Sequence, residues 1–178
     1  FGFKRVAFLP AAVPPLKDRE VTPARHRLAM LRLAIKGKRG LAIDTRELER
    51  AKRSGRPSYT VDTVREVLRE LGDGSSVAFV IGADQLVRLH KWRMAKWLVR
   101  HVRFIVALRP PFDASVFRQV ERTLGREAAL RLEADSIRLR PMDVSSTRIR
   151  ERAHAGKSLR GLVTPAVAAY ITKHGLYE

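Results

Sequence analysis

An unbroken apolar run, Val77-Ala78-Phe79-Val80-Ile81, passes straight into Gly82-Ala83-Asp84. A short run rich in β-branched and aromatic side chains is the pattern of a strand buried on both faces. Such strands belong to parallel sheets covered by helices on either side. The remaining segments fit that frame. Lys4 to Pro10 reads as a buried strand closed by proline, Leu41 to Asp44 as a second, Val102 to Leu108 as a fourth, and Ile137 to Leu139 as a weak fifth with period-two alternation.

Between the strands lie helical patterns. Thr22-Pro23 is a cap and first-turn pair for a helix carrying Leu28, Leu31 and Ile35, ended by Gly37 and Gly40. Tyr59-Thr60 opens another, with Val64, Val67, Leu68 and Leu71 on one face, broken by Gly72 and Gly74. A helical segment runs through Trp92 and Trp97, and a rather polar one spans Ala114 to Ala134. Ser145-Ser146-Thr147 starts a helix that stops at Gly156, and Thr164-Pro165 starts a last one that stops near Gly175. Thr45 to Arg56 is simply a charged stretch. Strand–helix alternation predicts an α/β chain: a Rossmann-like, doubly wound parallel sheet with a helical C-terminal part, residues 1–178 forming a single domain.

Charge narrows the partners. Lys plus Arg is 36 against 18 Asp plus Glu, a formal net charge of +18. That field favours anionic ligands. The cations are spread along the chain and alternate with acids, as in Arg150-Glu151-Arg152, with no basic tail and no aromatic RNA-binding signature. This argues against nucleic acid as the partner, but an Arg-rich solvated surface explains the scatter as well, and charge alone does not select phosphorylated metabolites. There is no cysteine, which excludes disulfides and thiolate-bound zinc and fits the cytoplasm. No apolar run is long enough for a membrane span. Association into homo-oligomers is left open.

In an open parallel sheet, ligands bind beyond the carboxyl ends of the strands. Those ends supply Lys17, the Pro57-Ser58-Tyr59-Thr60 segment, Gly82-Ala83-Asp84, Arg109-Pro110 and the turn before Ser145. A helix start at Ser145 offers free N–H groups to a phosphate, Ser145 and Thr147 add hydroxyls, and Arg150 can fold back onto the same anion. Taken alone, the same residues are explained more simply as an ordinary Ser/Thr cap on a basic helix. Gly82 permits close backbone approach, and Asp84 either accepts from ribose hydroxyls or caps the next helix. Trp92 is a core residue or a stacking platform. Neither G-x-G-x-x-G nor a P-loop occurs, and His26, His90, His101, His154 and His174 have no metal-binding spacing. No nucleophile–base pair can be assembled.

In their order along the chain, these motifs resemble the nicotinate-mononucleotide adenylyltransferase family of the nucleotidylyltransferase superfamily. The matching pieces begin with Phe8-Leu9-Pro10, Pro14-Pro15-Leu16-Lys17 and Arg27-Leu28-Ala29-Met30-Leu31. They continue through Pro57 to Thr63, Ile81-Gly82-Ala83-Asp84 with Leu86, Leu89 and Trp92, and Arg109-Pro110. Val144 to Arg150 and His174-Gly175-Leu176-Tyr177 complete the set.

The resemblance implies adenylyl transfer from ATP, with Mg²⁺, to nicotinate mononucleotide. It places Ser145, Thr147 and Arg150 on ATP phosphates, and Gly82 and Asp84 along the nucleotide. Trp92 would stack on the nicotinate ring, Tyr59, Thr60 and Val61 would form its pocket, and Lys17 and Arg109 would meet phosphates. A nicotinate carboxylate at the helix start around Thr60 and Val61 would meet free N–H groups, which favours the acid over nicotinamide mononucleotide.

Leu16 stands where the family usually has His before the lysine. The resemblance also implies a preceding strand–loop–helix with a G-G-T-F-x-P-x-H-x-G-H motif, which this sequence does not contain, so no catalytic histidine is expected in it. Two rivals remain: a non-catalytic basic module binding nucleotides or nucleic acid on the same fold, and a sister adenylyltransferase acting on nicotinamide mononucleotide.

Overall fold

The computed structural model describes residues 1–12, 22–55, 57–72, 77–141 and 144–178. The chain divides into two compact units, one of Phe1–Ser58 with Asp143–Glu178 and the other of Tyr59–Met142. Both have parallel strands linked through helices, so the expected parallel α/β class is borne out.

In the first unit, β1 (Val6–Phe8) pairs parallel with β2 (Leu41–Ile43), with Val6 opposite Leu41 and Phe8 opposite Ile43, and it is exposed rather than the buried strand expected. The crossover contains α1 (Ala24–Ile35). Thr22 does not serve as its cap: Pro23 occupies that position with no side-chain capping bond, and the Thr22 carbonyl accepts from Arg27 Nε at 2.9 Å.

The charged stretch after β2 forms a helix, α2 (Arg46–Ser54). Asp44 launches it by accepting from the Arg46 N–H at 3.0 Å and from Arg46 Nε at 2.7 Å. Glu47 and Glu49 lie in its first turn and Lys52 and Arg53 in its last, matching the helix dipole. Gly55, at φ 64°, ends it in the left-handed conformation that a Cβ disfavours.

After the other unit come α8 (Ser146–His154) and α9 (Pro165–Lys173). The Thr164-Pro165 signal is read correctly: proline opens α9, and the Thr164 hydroxyl accepts from the Val167 N–H at 3.3 Å. A small core of Leu159, Val167 and Ile171 takes partly buried Met30, Leu33 and Ile149 against it.

The second unit opens with α3 (Thr60–Leu71) and then β3 (Ala78–Gly82). Next come α4 (Ala83–Leu86), a single 3₁₀ turn at Leu89–Lys91, α5 (Ala95–His101) and β4 (Arg103–Leu108). The unit closes with α6 (Val116–Leu124), α7 (Arg126–Ala134) and β5 (Ser136–Arg138). The polar segment from Ala114 to Ala134 is therefore two helices, broken at Gly125 with φ 97°.

Strand order is β3-β4-β5, all parallel. β4 is the central strand, and Phe104, Ile105, Val106 and Leu108 are all buried. Leu86, Leu89, Leu98 and Leu132 are at most 1% exposed in the surrounding core. Each such burial stabilises by roughly 1.5–3 kcal/mol.

β3 departs from expectation. Ile81 is buried, but Val80 is 59% exposed, so the strand is not covered on both faces. Among the described residues β3 pairs only with β4, and that edge position leaves the face bearing Val80 uncovered.

Candidate active site

The end of β3 sets the first cluster. Gly82 leaves the strand in extended conformation and stands as the cap residue of α4, which puts Asp84 in the first turn just beyond the sheet. A Cβ on Gly82 would overlap Asp84 Oδ1, so the glycine makes room for this carboxylate. Gln85 Nε2 donates to Asp84 Oδ2 at 3.1 Å, and an Arg109 guanidinium nitrogen lies 3.7 Å from Oδ1. The pair is partly exposed, 54% for the Arg109 side chain and 40% for Asp84, so it adds little stability and leaves acceptor capacity on the carboxylate.

Arg109 follows β4 directly, and the Phe112 N–H returns to its carbonyl at 2.9 Å. Beyond the ends of β4 and β5 opens a cavity of about 610 Å³, with Leu108, Phe112 and Leu139 as apolar walls and Asp113, Arg118 and Arg138 as charged ones. Hydrogen bonds from Ser115, side chain first and then backbone, hold the Asp113 carboxyl below its usual range, and Arg118 and Arg138 add to this against a desolvation cost. Sequence reasoning missed Asp113, Arg118 and Arg138. Only Asp113, in the connection after β4, was within reach of the strand-end rule that selected Arg109; Arg118 lies inside α6 and Arg138 is the last residue of β5 itself.

Tyr59 stands in extended conformation before α3 and makes no side-chain capping bond. The N–H groups of Thr60 and Val61 therefore lie in a first turn, where a helix provides no internal acceptor. The Arg93 guanidinium sits 5.0 Å from the centre of the Tyr59 ring, adding a second positive element on this side of the helix start. Val61 itself is 1% exposed and belongs to the core, so it can offer a ligand only its backbone, not a side-chain wall.

Trp92 follows the 3₁₀ turn, half-buried, with Phe79 edge-on at 6.1 Å between ring centres. The second tryptophan is committed elsewhere: Trp97 stacks on His101 at 4.3 Å and lies under Arg65 at 4.7 Å.

In the other unit, Ser145 is extended and caps α8, its hydroxyl accepting from the Arg148 N–H at 3.1 Å. Arg150 folds back one turn and donates to Thr147 Oγ1 at 3.2 Å. Ser145, Thr147 and Arg150 are all exposed. The capping reading and the anion reading thus coexist, because the cap uses one lone pair of Ser145 and leaves its O–H proton free.

Lys17 lies outside the described residues. On either side of that segment, the Arg27 guanidinium donates to the carbonyls of Ala11, Ala12 and Thr22. Burial lowers the Arg27 pKa, but an arginine still stays charged. Among the described residues no group of three or more His, Asp or Glu side chains could hold a metal ion. None of their helices is long and apolar enough to cross a membrane.

Residues 1–152 match the cytidylyltransferase-like family model. A probable nicotinate-nucleotide adenylyltransferase of Stenotrophomonas maltophilia is 43% identical over 185 residues, covering 97% of this chain and 83% of its own length. One from Chromobacterium violaceum is 41% identical over 163 residues, covering 87% and 75%. Among solved structures, Plasmodium falciparum nicotinic acid mononucleotide adenylyltransferase complexed with NaAD superposes with a TM-score of 0.71 at 17% identity, covering 98% of this chain and 82% of that one, a likeness of fold.

Proposed function

The chain belongs to the nicotinate-nucleotide adenylyltransferases of the cytidylyltransferase-like family, and from that premise we infer that it transfers the adenylyl group of ATP to nicotinate mononucleotide. A phosphate oxygen of the mononucleotide attacks the α-phosphorus of ATP. The new P–O bond forms as the bond to the bridging oxygen of the β-phosphate breaks, and pyrophosphate leaves with that electron pair. The products are deamido-NAD and pyrophosphate. Such a displacement requires alignment and neutralisation of charge rather than a protein nucleophile.

We assign roles accordingly. Asp84, with Gln85 and Arg109 against it and Gly82 making room, accepts from hydroxyls of the nucleotide ribose. Arg109 and Lys17 meet phosphate, and Ser145, Thr147 and Arg150 hold phosphates of ATP. Trp92 stacks on the nicotinate ring, and the N–H groups at Thr60 and Val61 receive its carboxylate. Tyr59, under Arg93, lines the same end of α3. ATP would enter with Mg²⁺, which would neutralise charge on its phosphates beside Arg109 and Arg150. We place the reaction in the cytoplasm, in keeping with the absence of cysteine.

The observation that carries this reading is the 43% identity across 97% of the chain to a relative named for this reaction. Its test is the ratio of kcat/KM for nicotinate mononucleotide to that for nicotinamide mononucleotide. A charged hydrogen bond contributes about 1.5–3 kcal/mol, so a preference of at least about tenfold for the acid is expected. Comparable values would overturn the preference for the acid, a preference for the amide would reassign the substrate, and no adenylyl transfer to either would leave only a binding module.

A further inference from the structure

The net charge is not evenly shared. The unit of Phe1–Ser58 and Asp143–Glu178 holds 21 Lys and Arg against 8 Asp and Glu, whereas Tyr59–Met142 holds 15 against 10. Part of the excess is gathered at one end of the first unit. Lys4 and Arg5 lead into β1, and Lys36, Lys38 and Arg39 fill the connection from α1 to β2. These segments touch through their backbones: the Val6 N–H donates to the Gly40 carbonyl at 2.8 Å, and a Cβ on Gly40 would lie 3.4 Å from the Lys4 carbonyl oxygen. All five cations are exposed, and among the described residues none forms a side-chain hydrogen bond or ion pair.

The C-terminus of α1 accounts for a cation or two in its last turn through the helix dipole. It does not account for Lys4, Arg5 and Arg39, which lie on or against the strands. The cluster sits at the amino ends of β1 and β2, opposite the carboxyl ends where parallel sheets receive substrates.

We propose that this end of the unit is a docking surface for the phosphodiester backbone of single-stranded nucleic acid, bound without readout of bases. Adjacent strands lie about 4.8 Å apart, so cations from the two segments act on one ligand together. A chain of closely spaced phosphates neutralises them at once. The connection from Lys36 to Gly40 adds an open backbone: Gly37 has φ 74° and nothing within 4 Å of where its Cβ would be, so a phosphate can approach the main chain there. A bilayer is the poorer match: residues 36–40, which carry three of the five cations, hold no apolar side chain, and the exposed Phe1 and Val6 beside Lys4 and Arg5 are too few for the apolar face that membrane attachment needs. The scatter of charge along the sequence argued against nucleic acid; folding gathers part of it.

The test is fluorescence anisotropy of a labelled mixed-sequence single-stranded RNA against the protein over a range of sodium chloride. Four to five phosphate contacts give a slope of log affinity against log salt of about −3 for a single strand. Lys36→Gln/Lys38→Gln/Arg39→Gln should bring the slope to about −1. The matched variant Lys157→Gln/Arg160→Gln/Lys173→Gln removes the same charge from the same unit and should leave the slope near its original value. Unchanged circular dichroism spectra and urea midpoints in both variants report that each is folded. Equal slopes in the two variants would overturn the proposal in favour of diffuse attraction. Tighter binding to phosphatidylserine vesicles than to RNA would overturn it in favour of a membrane, and an absence of RNA binding at low salt would end it outright.

Discussion

The two units reach order by different routes. Tyr59–Met142 is built around a buried central strand, with apolar side chains from α3 to α7 closing on β4. Among the described residues of the other unit, α1 and α8 contain no buried residue, α2 buries only Glu47, and the buried apolar core reduces to Leu159, Val167 and Ile171. That unit relies on local devices: the Asp44 bonds that start α2, the Thr164 cap, and Arg27 against three carbonyls. It also carries most of the net charge, which works against compaction unless anions bind. One unit is held by volume and shape, the other by polar contacts that salt, pH and ligands can alter.

The largest expected effect attacks the first half of that contrast. Leu98 is 0% exposed, and Leu98→Ala should cost about 2–5 kcal/mol by the transfer and cavity terms together. Leu159→Ala, at a site 7% exposed in a three-residue core, should cost less in urea unfolding. Equal losses would abolish the distinction.

Next is a change to function alone. Asp84→Asn removes the negative charge facing Arg109 and should lower kcat/KM by about 10–100-fold, the worth of a charge-assisted hydrogen bond. The urea midpoint should stay nearly unchanged, since the pair is partly exposed. A large shift of that midpoint would make Asp84 structural.

Thr164→Ala tests the local devices and should cost about 1 kcal/mol, read from the same unfolding curves. No change would mean that packing of α9 suffices without its cap.

The smallest effect is one of pH. His26 Nε2 accepts from Arg25 Nε at 3.3 Å, which leaves the proton on Nδ1 for donation to the Tyr170 hydroxyl oxygen at 3.0 Å. Desolvation first, then Arg25 and His174, lower the His26 pKa. Folding therefore favours neutral His26. Its contribution is fully present above the ordinary value of about 6.5 and is lost as pH falls below that toward the lowered folded value. Unfolding midpoints should decline slightly over that window, and His26→Gln should flatten the decline. An unchanged pH profile in His26→Gln would remove histidine from the account.

Legibility followed the physical source of each element. β2, β4, α3 and α9 were readable because apolar periodicity and cap residues determine them. α2 was not, because its only strongly apolar residue is Leu48 and its start depends on Asp44 contacts that no hydrophobic pattern reports. The break between α6 and α7 needed the weight of Gly125, at φ 97°, to be recognised. The burial of Val80 was overstated because an apolar run reports composition, and its neighbours in space decide its exposure. Within the candidate site, Gly82, Asp84 and Arg109 came from the strand-end rule and do lie together. The cavity walls Asp113, Arg118 and Arg138 converge from the connection after β4, from α6 and from the end of β5, which linear spacing does not reveal.

The contact between Gly82 and Asp84 has a consequence for anyone sampling this sequence by mutation. Gly82 has no positive φ, so its backbone tolerates other residues. The atom that any side chain would strike is the free end of a carboxylate, which can rotate away. A saturation library at position 82 should therefore return well-folded, soluble clones that fail in selection for activity. Abundance and fitness would separate at one glycine, and stability screens alone would score it as neutral.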